Sequence, residues 1–253
     1  MRNKLTDELA VCGMNAVLAV GEHHPETINR LFLREDRFSS FTGICKQLAE
    51  RKRPYKICED KELERICKSV HHQGVVAMIE EPVIEPLNLE DLDLWANEGK
   101  TGVLLHSVGN DHNFGAIARA AAFFDVTFII LNEKDSSFEE KVRLTTSAYR
   151  VAEGGLEHLT VRKISNTVAF LKDASKRLVT IGTDTRARMR ISDLKNIVKK
   201  SGIVLVLGNE ETGLPKEVKD KCSHLLRIPG TGNIDSLNVS QAAALFLQAI
   251  YEL

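Results

Sequence analysis

The fold of this chain is decided by residues 203–253. They open with an apolar run, Ile-Val-Leu-Val-Leu (203–207), which breaks at once into the polar loop Gly-Asn-Glu-Glu-Thr-Gly (208–213). A second apolar run, Leu-Leu-Arg-Ile-Pro (225–229), leads through another glycine loop to Ser-Leu-Asn-Val-Ser (236–240) and an apolar helix. Such runs are typical of strands buried on both faces. Ligands of open α/β sheets bind beyond the carboxyl ends of these strands, so the two loops are predicted to form a site.

The residues of these loops also suit their predicted positions. Gly208 permits a tight turn and the close approach of a ligand to the backbone. Pro215 suits the first turn of a helix. Either Ser236 or Asn238 can cap the final helix, whose apolar residues recur at helical spacing up to Ile250.

Strand and helix patterns alternate over the C-terminal part of the chain. Strands are predicted at 102–108, 126–131, 159–164 and 178–182, and helices at 113–124, 138–148 and from a Ser165 cap to Ala174. This alternation predicts an α/β fold with a mostly parallel sheet that helices cover on both faces.

The N-terminal part shows a separate and shorter α/β pattern. Residues 1–80 are predicted to form a small domain with its own core, and residues 99–253 a second domain. Between them, residues 81–98 are acidic, contain Pro82 and Pro86 and lack clear periodicity before a possible short helix near Leu92, so they are predicted to be a linker.

Composition excludes several classes of protein. The 253 residues carry a net charge of −1, no apolar run approaches membrane-spanning length, and the N-terminus leads into no signal-peptide core, so a cytoplasmic location is expected. The five cysteines have no Cys-x-x-Cys spacing and indicate reduced thiols. The chain also lacks the glycine fingerprints of dinucleotide and phosphate-loop sites, and its adjacent histidine pairs cannot each form a metal site, so no metal is expected.

Two basic clusters are candidates for contact with a polyanion. The run Arg51-Lys52-Arg53 is interpreted as a solvated surface segment. The group Arg186, Arg188 and Arg190 follows a predicted strand, and both a solvated surface and a nucleic-acid contact stay open for it.

Three segments together resemble the motifs of a known enzyme family. They are Asn-Phe-Gly-Ala-Ile-Ala-Arg (113–119), Gly-Asn-Glu-Glu-Thr-Gly (208–213), and Ile-Pro (228–229) followed by Ser-Leu-Asn-Val-Ser (236–240). In this order they resemble the SpoU (TrmH-like) family of RNA ribose 2′-O-methyltransferases, within the SPOUT superfamily. The ends of the N-terminal domain, near Gly13 and Gly74, are similar to those of the L30e-like substrate-binding domain that many SpoU enzymes carry.

The resemblance implies a fold and an activity. It implies a C-terminal trefoil knot, a homodimer, and transfer of a methyl group from S-adenosylmethionine to a ribose 2′-hydroxyl in rRNA or tRNA. A guanosine of large-subunit ribosomal RNA is the preferred substrate, and this preference rests on the type of N-terminal domain. The alternatives are a tRNA methyltransferase and a non-catalytic RNA-binding or assembly factor that keeps the fold.

The residues alone leave the role of Arg119 open. Asn113 is predicted to cap a helix in which Arg119 is surrounded by small apolar residues, and a buried arginine requires a partner. That partner is either a carboxylate, Glu210 or Glu153, or a bound nucleotide. The resemblance favours the nucleotide and implies a catalytic set, which comprises Arg119, Asn113, Glu210, Ser236 and Asn238.

A guanidinium stays protonated in proteins, so Arg119 is interpreted as a stabiliser of the developing alkoxide rather than as a base. The resemblance also implies cofactor contacts from Gly208, Ile228 and Leu237, with Thr183 in the preceding loop. Without it, Gly208 would be interpreted as a turn and the two apolar residues as core. The chain departs from the family pattern at Glu211, where many relatives have glycine, and in the loop 230–235.

Overall fold

The computed structural model describes residues 2–3, 8–133, 143–198 and 201–253. Its strands are β1 (Arg2–Asn3), β2 (Glu8–Cys12), β3 (Ile28–Leu33), β4 (Tyr55–Ile57), β5 (Val75–Glu80), β6 (Glu85–Pro86), β7 (Thr101–Leu105), β8 (Phe128–Asn132), β9 (Thr160–Ile164), β10 (Val179–Thr183), β11 (Met189–Arg190), β12 (Ile203–Leu207) and β13 (His224–Arg227). Its α-helices are α1 (Met14–His23), α2 (Phe38–Glu50), α3 (Asp60–Cys67), α4 (Leu89–Asn97), α5 (Asp111–Phe123), α6 (Thr146–Ala152), α7 (Thr167–Ala174), α8 (Leu194–Ile197), α9 (Lys216–Lys219) and α10 (Val239–Tyr251).

The chain divides into two compact units. The first comprises Met1–Val83 with Arg143–His158, and the second comprises Ile84–Val142 with Leu159–Leu253. The sequence did not indicate that residues 143–158 belong with the N-terminal part. Within that segment α6 packs against β2 and α1. The helix predicted at 138–148 lies partly outside the described residues, and the described helix there is α6.

The first unit is built on a mixed sheet with the order β1-β2-β5-β3-β4. Strand β5 runs antiparallel to both β2 and β3, whereas β4 pairs with β3 in parallel and forms one edge. One core cluster of this unit joins Cys12, Cys58 and Cys67 to apolar residues such as Leu63. All five cysteines of the chain are free thiols, as the sequence predicted.

The second unit contains a sheet with the order β11-β13-β10-β12-β7-β8-β9-β6, in which every neighbouring pair is parallel. The prediction of an α/β fold with a parallel sheet is therefore confirmed. The run Ile203–Leu207 forms the buried strand β12 between β10 and β7. Because all these strands run in the same direction, their carboxyl ends lie along one edge of the sheet.

Helix α4 lies inside residues 81–98, which were predicted as a linker. Asn88 and Asp91 form a capping box at its start, and Leu92 and Trp95 are buried in the core of the second unit. Trp95 stacks on Phe128 of β8 with ring centroids 3.6 Å apart. The sequence pattern indicates a possible short helix near Leu92 within this segment, and α4 lies at that place. Its apolar pattern is weak because only two of its side chains enter the core.

Two predicted helix caps were wrong by one and three residues. Asn110, rather than Asn113, caps α5, since its Oδ1 accepts a hydrogen bond from the backbone of His112. Asn166, rather than Ser165, caps α7 by accepting from the backbone of Ala169. Several residues that can cap a helix stand close together at both places, and propensity alone does not choose between them.

Gly102 of β7 is required by the core. A Cβ atom at this position would lie 1.8 Å from Cε2 of Phe128, whose ring is already stacked on Trp95. We therefore expect Gly102→Ala to lower the free energy of unfolding by about 3 kcal/mol, the upper range for overpacking a core. Urea denaturation measures this, with Gly43→Ala as the control, since a Cβ at Gly43 meets nothing within 4 Å. Equal stability of the two variants would contradict the expectation.

Candidate active site

The candidate site lies at the carboxyl edge of the parallel sheet. Thr183 ends β10, Gly208 follows β12 and Ile228 follows β13, and these strands lie in the order β13-β10-β12. The hydroxyl of Thr183 donates a hydrogen bond to the carbonyl of Val206 on β12, at 3.3 Å. Three of the four predicted cofactor residues therefore lie at the ends of neighbouring strands.

The loop that begins at Gly208 folds back on itself. A Cβ atom on Gly208 would lie 2.5 Å from the carbonyl carbon of Gly213, so only glycine fits there. Gly213 has φ +67°, in the left-handed region that favours glycine, and its N–H donates to the carbonyl of Asn209 at 2.9 Å. Both glycines are thus explained by close backbone approach, and the turn predicted at Gly208 is present.

Asn209 organises this loop, a role that the sequence did not reveal. Its amide Nδ2 donates to the carbonyl of Ser107 at 2.9 Å, which ties the loop to the end of β7. Its Oδ1 accepts from the backbone N–H groups of Glu211 and Thr212 at 3.0 and 3.1 Å. An asparagine that follows a strand end is a frequent turn residue, and that was the available signal.

Three residues from the three motifs form one hydrogen-bonded chain. Asn113 on α5 donates through Nδ2 to Oε1 of Glu210 at 2.5 Å. Asn238 donates through Nδ2 to Oδ1 of Asn113 at 3.1 Å. Glu210 also accepts from Nδ2 of Asn209 at 3.5 Å. The order of donors fixes the orientation of both asparagine amides, because each Oδ1 and Nδ2 has a defined partner.

Asn238 also caps α10. Its Oδ1 accepts from the backbone of Ser240 at 2.9 Å and from the Ser240 hydroxyl at 2.6 Å. Of the two predicted caps, Asn238 therefore has the role and Ser236 does not. Ser236 lies exposed in the loop that leads to α10.

Arg119 lies exposed on α5, which corrects the expectation that the apolar helix would bury it. It lies six positions after Asn113, which is about 9 Å along the helix axis and on a different face. It lies one turn before Phe123, whose side chain is 79% exposed, so the two share a face. Small alanines around Arg119 make the helix apolar without enclosing the guanidinium.

The loop 228–238 forms neither helix nor strand, so its backbone polar groups are not used by regular structure. Ile228 is half-buried, and Leu237 is 47% exposed. Exposed apolar side chains in such a loop are suited to hold a heterocyclic ring such as adenine, because ligand sites combine apolar side chains with a few polar groups. These residues therefore fit the cofactor that the resemblance implies.

An ion pair holds the segment after β10. Lys219 lies 2.9 Å from Asp184, which follows Thr183 directly. Burial raises the pKa of Asp184, but the hydrogen bonds from Lys219 and from the backbone of Arg186 outweigh it, so the pKa lies below its usual value. The carboxylate is thus charged at neutral pH, and it anchors the segment that carries exposed Arg186 and Arg188.

Across the described ranges no helix is long and apolar enough to cross a membrane. In the same ranges, no group of three or more histidine, cysteine, aspartate or glutamate side chains is placed to hold a metal ion.

Two family models match separate parts of the chain. Residues 100–248 match the SpoU rRNA methylase family, and residues 10–83 match the RNA 2′-O ribose methyltransferase substrate-binding family. Together they cover most of the chain.

Curated relatives match over most of the chain as well. This chain is 32% identical over 184 residues to the putative TrmH family tRNA/rRNA methyltransferase YacO of Bacillus subtilis, across 71% of this chain and 70% of the relative. It is 30% identical over 243 residues to the 23S rRNA (guanosine-2′-O-)-methyltransferase RlmB of Bordetella pertussis, across 94% of each.

Solved structures show the same fold. The rRNA methyltransferase from Sinorhizobium meliloti superposes with a TM-score of 0.76 at 23% identity, over 98% of this chain and 88% of that one. The SpoU methyltransferase AviRb from Streptomyces viridochromogenes, in complex with AdoMet, superposes with a TM-score of 0.72 at 20% identity, over 98% of this chain and 91% of that one. With the motifs gathered at one sheet edge and both models matched, the chain belongs to the SpoU rRNA methylase family, whose methyl donor is S-adenosylmethionine.

Proposed function

We propose that this protein transfers a methyl group from S-adenosylmethionine to the ribose 2′-hydroxyl of a guanosine in large-subunit ribosomal RNA. The hydrogen-bonded chain Glu210–Asn113–Asn238 carries this proposal, because it joins the three motif segments at one edge of the sheet. The substrate is taken from the RlmB relative, which aligns with 94% of the chain.

The chemistry is a displacement at a methyl carbon. S-adenosylmethionine would supply the methyl group as a sulfonium. The bond from the 2′-oxygen to the methyl carbon would form as the bond to sulfur breaks, with S-adenosylhomocysteine as the leaving group, and the hydroxyl proton would pass to water. Most of the acceleration comes from alignment of the two reactants. Arg119 stabilises the developing alkoxide and anchors the adjacent phosphate. Glu210, Asn113, Ser236 and Asn238 position the nucleotide.

The cofactor site is assigned to the loops at the same edge. Gly208, Ile228, Leu237 and Thr183 hold the cofactor, with the adenine against the apolar side chains and the backbone of the loop 228–238. This is supported by the exposure of Leu237 and by the position of the other three residues at the ends of adjacent strands.

The N-terminal domain, residues 1–80, is assigned to binding RNA, and residues 99–253 to methyl transfer. The substrate-binding model that matches residues 10–83 supports the first assignment. Ribosomal RNA as substrate also supports a cytoplasmic location, and the reaction requires no metal.

A homodimer is part of the proposal. The side chains of Phe123 on α5 and Tyr251 on α10 are 79% and 63% exposed, and Phe124 contacts both rings. A second copy that covers this apolar face would also enclose Arg119, which shares its helix face with Phe123. Burial at such an interface removes water from the guanidinium and strengthens its interaction with the substrate. Sedimentation of the wild type and of Phe123→Asp tests this, and a monomeric wild type would refute it.

Transfer RNA is the second candidate substrate. The relatives from Bacillus subtilis and Staphylococcus haemolyticus are named as tRNA/rRNA methyltransferases, which favours it.

The function is tested by incubating the protein with S-adenosylmethionine carrying a labelled methyl group and with unmodified ribosomal RNA or transfer RNA. We expect label in the large-subunit RNA at a single guanosine, resistant to alkaline cleavage at that position because the 2′-hydroxyl is blocked. Label in transfer RNA alone would select the second candidate. Cofactor binding without transfer to either RNA would indicate an assembly factor that keeps the fold.

The two functions of Asn238 can be separated by substitution. Asn238→Ala removes the helix cap and is expected to lower the free energy of unfolding by about 1 kcal/mol. Asn238→Asp keeps the capping oxygen but cannot donate to Asn113, whose amide is held in place by Glu210. We therefore expect Asn238→Asp to unfold like the wild type and to methylate RNA about 10-fold more slowly, as loss of one hydrogen bond predicts. Loss of stability in Asn238→Asp, or unchanged activity, would contradict this assignment.

A further inference from the structure

The first unit carries an exposed apolar group that is not part of the candidate active site. Phe38 at the start of α2 is 37% exposed, and Tyr55 and Ile57 of β4 are 42% and 44% exposed. The rings of Phe38 and Tyr55 lie 6.4 Å apart between centroids, with an interplanar angle of 38°. Together with Arg51, Lys52 and Arg53 these residues are named the α2–β4 surface.

The apolar residues share one side of the sheet edge. Tyr55 and Ile57 are two positions apart in a strand, so both side chains point to the same face. Phe38 contacts Tyr55 on that face. Aromatic rings are usually buried in a monomer, and neighbouring exposed rings mark a surface that binds a partner.

Three consecutive exposed basic residues lie close to Tyr55 in the sequence. Arg51, Lys52 and Arg53 follow the last residue of α2 and precede Pro54 and β4. Lys52 has φ +57°, and the Arg53 N–H donates to the carbonyl of Leu48 at 2.8 Å, which is the helix ending that normally takes glycine. The chain thus places a lysine where glycine is favoured, and it keeps a positive charge there.

The charges of the surface select the partner. Beside Tyr55, Glu50 offsets one charge of the basic run and Lys56 is paired with Glu62 at 2.7 Å, which leaves a net positive charge. Beside Phe38, Asp36 is paired with Arg34 and Arg37. A positive strip with exposed aromatic faces is the pattern by which proteins bind unpaired nucleotides, since every base can stack.

A protein strand is a poorer partner for this edge. Strand β4 has three residues, Lys56 stands at its centre, and Pro54 precedes it. Short length, lysine and proline are the features that prevent an edge strand from pairing with another chain.

We propose that the α2–β4 surface binds an unpaired segment of the RNA substrate. Phe38 and Tyr55 stack on its bases, and Arg51, Lys52 and Arg53 contact its phosphates. The identity of the RNA as substrate rests on the proposed function, whereas the preference for unpaired nucleotides rests on this surface.

The test uses the full chain and fluorescein-labelled oligouridylate of about 12 nucleotides, with a duplex RNA of equal length for comparison. We expect Phe38→Ala/Tyr55→Ala to weaken binding of the single strand by at least about 5-fold to about 100-fold, the range for loss of stacking on a single base, and to change duplex binding little. Tyr55→Phe keeps the ring and should bind like the wild type. Val70→Ala, an exposed apolar position outside the surface, is the matched control. The proposal would be overturned if the aromatic double variant kept its affinity for the single strand, or if it lost affinity for the single strand and the duplex equally.

The basic run has a separate signature. Arg51→Gln/Arg53→Gln should reduce the slope of log affinity against log salt by about 1 to 2, because fewer counterions are released, whereas the aromatic double variant leaves the slope unchanged. Methylation assays then separate the two proposals. If the wild type methylates RNA and the aromatic variant has an unchanged KM for it, this surface is not used and the function stands. If the surface binds single strands but no RNA is methylated, the function fails and the surface stands.

Discussion

Replacement of Arg119 by alanine is expected to lower the rate of RNA methylation by about 10²- to 10³-fold and to leave the affinity for S-adenosylmethionine unchanged. The size follows from loss of one preorganised group that stabilises developing negative charge. The cofactor affinity is expected to stay unchanged because Arg119 is exposed on α5, whereas the proposed cofactor residues lie at or beyond the ends of β10, β12 and β13. Single-turnover methylation measures the rate, and calorimetry with S-adenosylmethionine measures the affinity.

Controls for Arg119 distinguish its charge from its shape. Arg119→Lys keeps the positive charge but loses the planar fork that binds a phosphate through two hydrogen bonds, so an intermediate rate is expected. Lys172→Ala removes an exposed cation from α7 in the second unit, at a position outside the proposed site, and should leave the rate unchanged. A parallel fall of rate and cofactor affinity in Arg119→Ala would show that the guanidinium serves the cofactor instead.

The architecture was predictable from sequence because buried parallel strands leave a clear signal. Ile203–Leu207 is apolar at every position, and it forms a strand with neighbours on both sides. The family assignment, the methyltransferase activity and S-adenosylmethionine as donor are confirmed by the matches over both parts of the chain. The roles of the individual site residues stay predictions.

The details that sequence could not give depend on tertiary contacts. Asn113 is separated from Glu210 by 97 positions and from Asn238 by 125, and local propensity carries no information about such pairs. Asn113 was taken for a cap because it resembles Asn110 in local chemistry. The structure uses one asparagine for the helix end and leaves the other to bind Glu210. Exposure of Arg119 was missed for a related reason, since alanines give a helix an apolar pattern on every face.

The trefoil knot is implied by membership in the family and agrees with the order of the strands. After β10 the chain forms β12, which lies between β10 and β7. It then returns to the other side of β10, where it forms β13. Helix α10 follows and packs against α5 and β12. This path brings the loops after β10, β12 and β13 to one place, although the chain between them is long. A substitution that moves one loop is therefore expected to disturb the cofactor site as a whole.

Gly208→Ala is expected to weaken the binding of S-adenosylmethionine by about 10²-fold. The new methyl group would lie 2.5 Å from the carbonyl carbon of Gly213 and 2.6 Å from the nitrogen of Leu214, both backbone atoms that no side-chain rotation can move away. To avoid this clash the loop must shift by about 1 Å, and a misplacement of that size can weaken an interaction that depends on alignment by about 10²-fold. Calorimetry measures the affinity.

Gly43→Ala is the matched control for this experiment. Gly43 lies in α2 of the first unit, outside the proposed cofactor loops, a Cβ there meets nothing within 4 Å, and its backbone is not in the left-handed region. This variant should therefore bind S-adenosylmethionine like the wild type. Both variants are expected to unfold cooperatively, because Leu214 and the buried strand β12 stay packed in the core. If Gly208→Ala keeps full affinity, the loop after β12 does not hold the cofactor, and the site must be sought along the loop 228–238 alone.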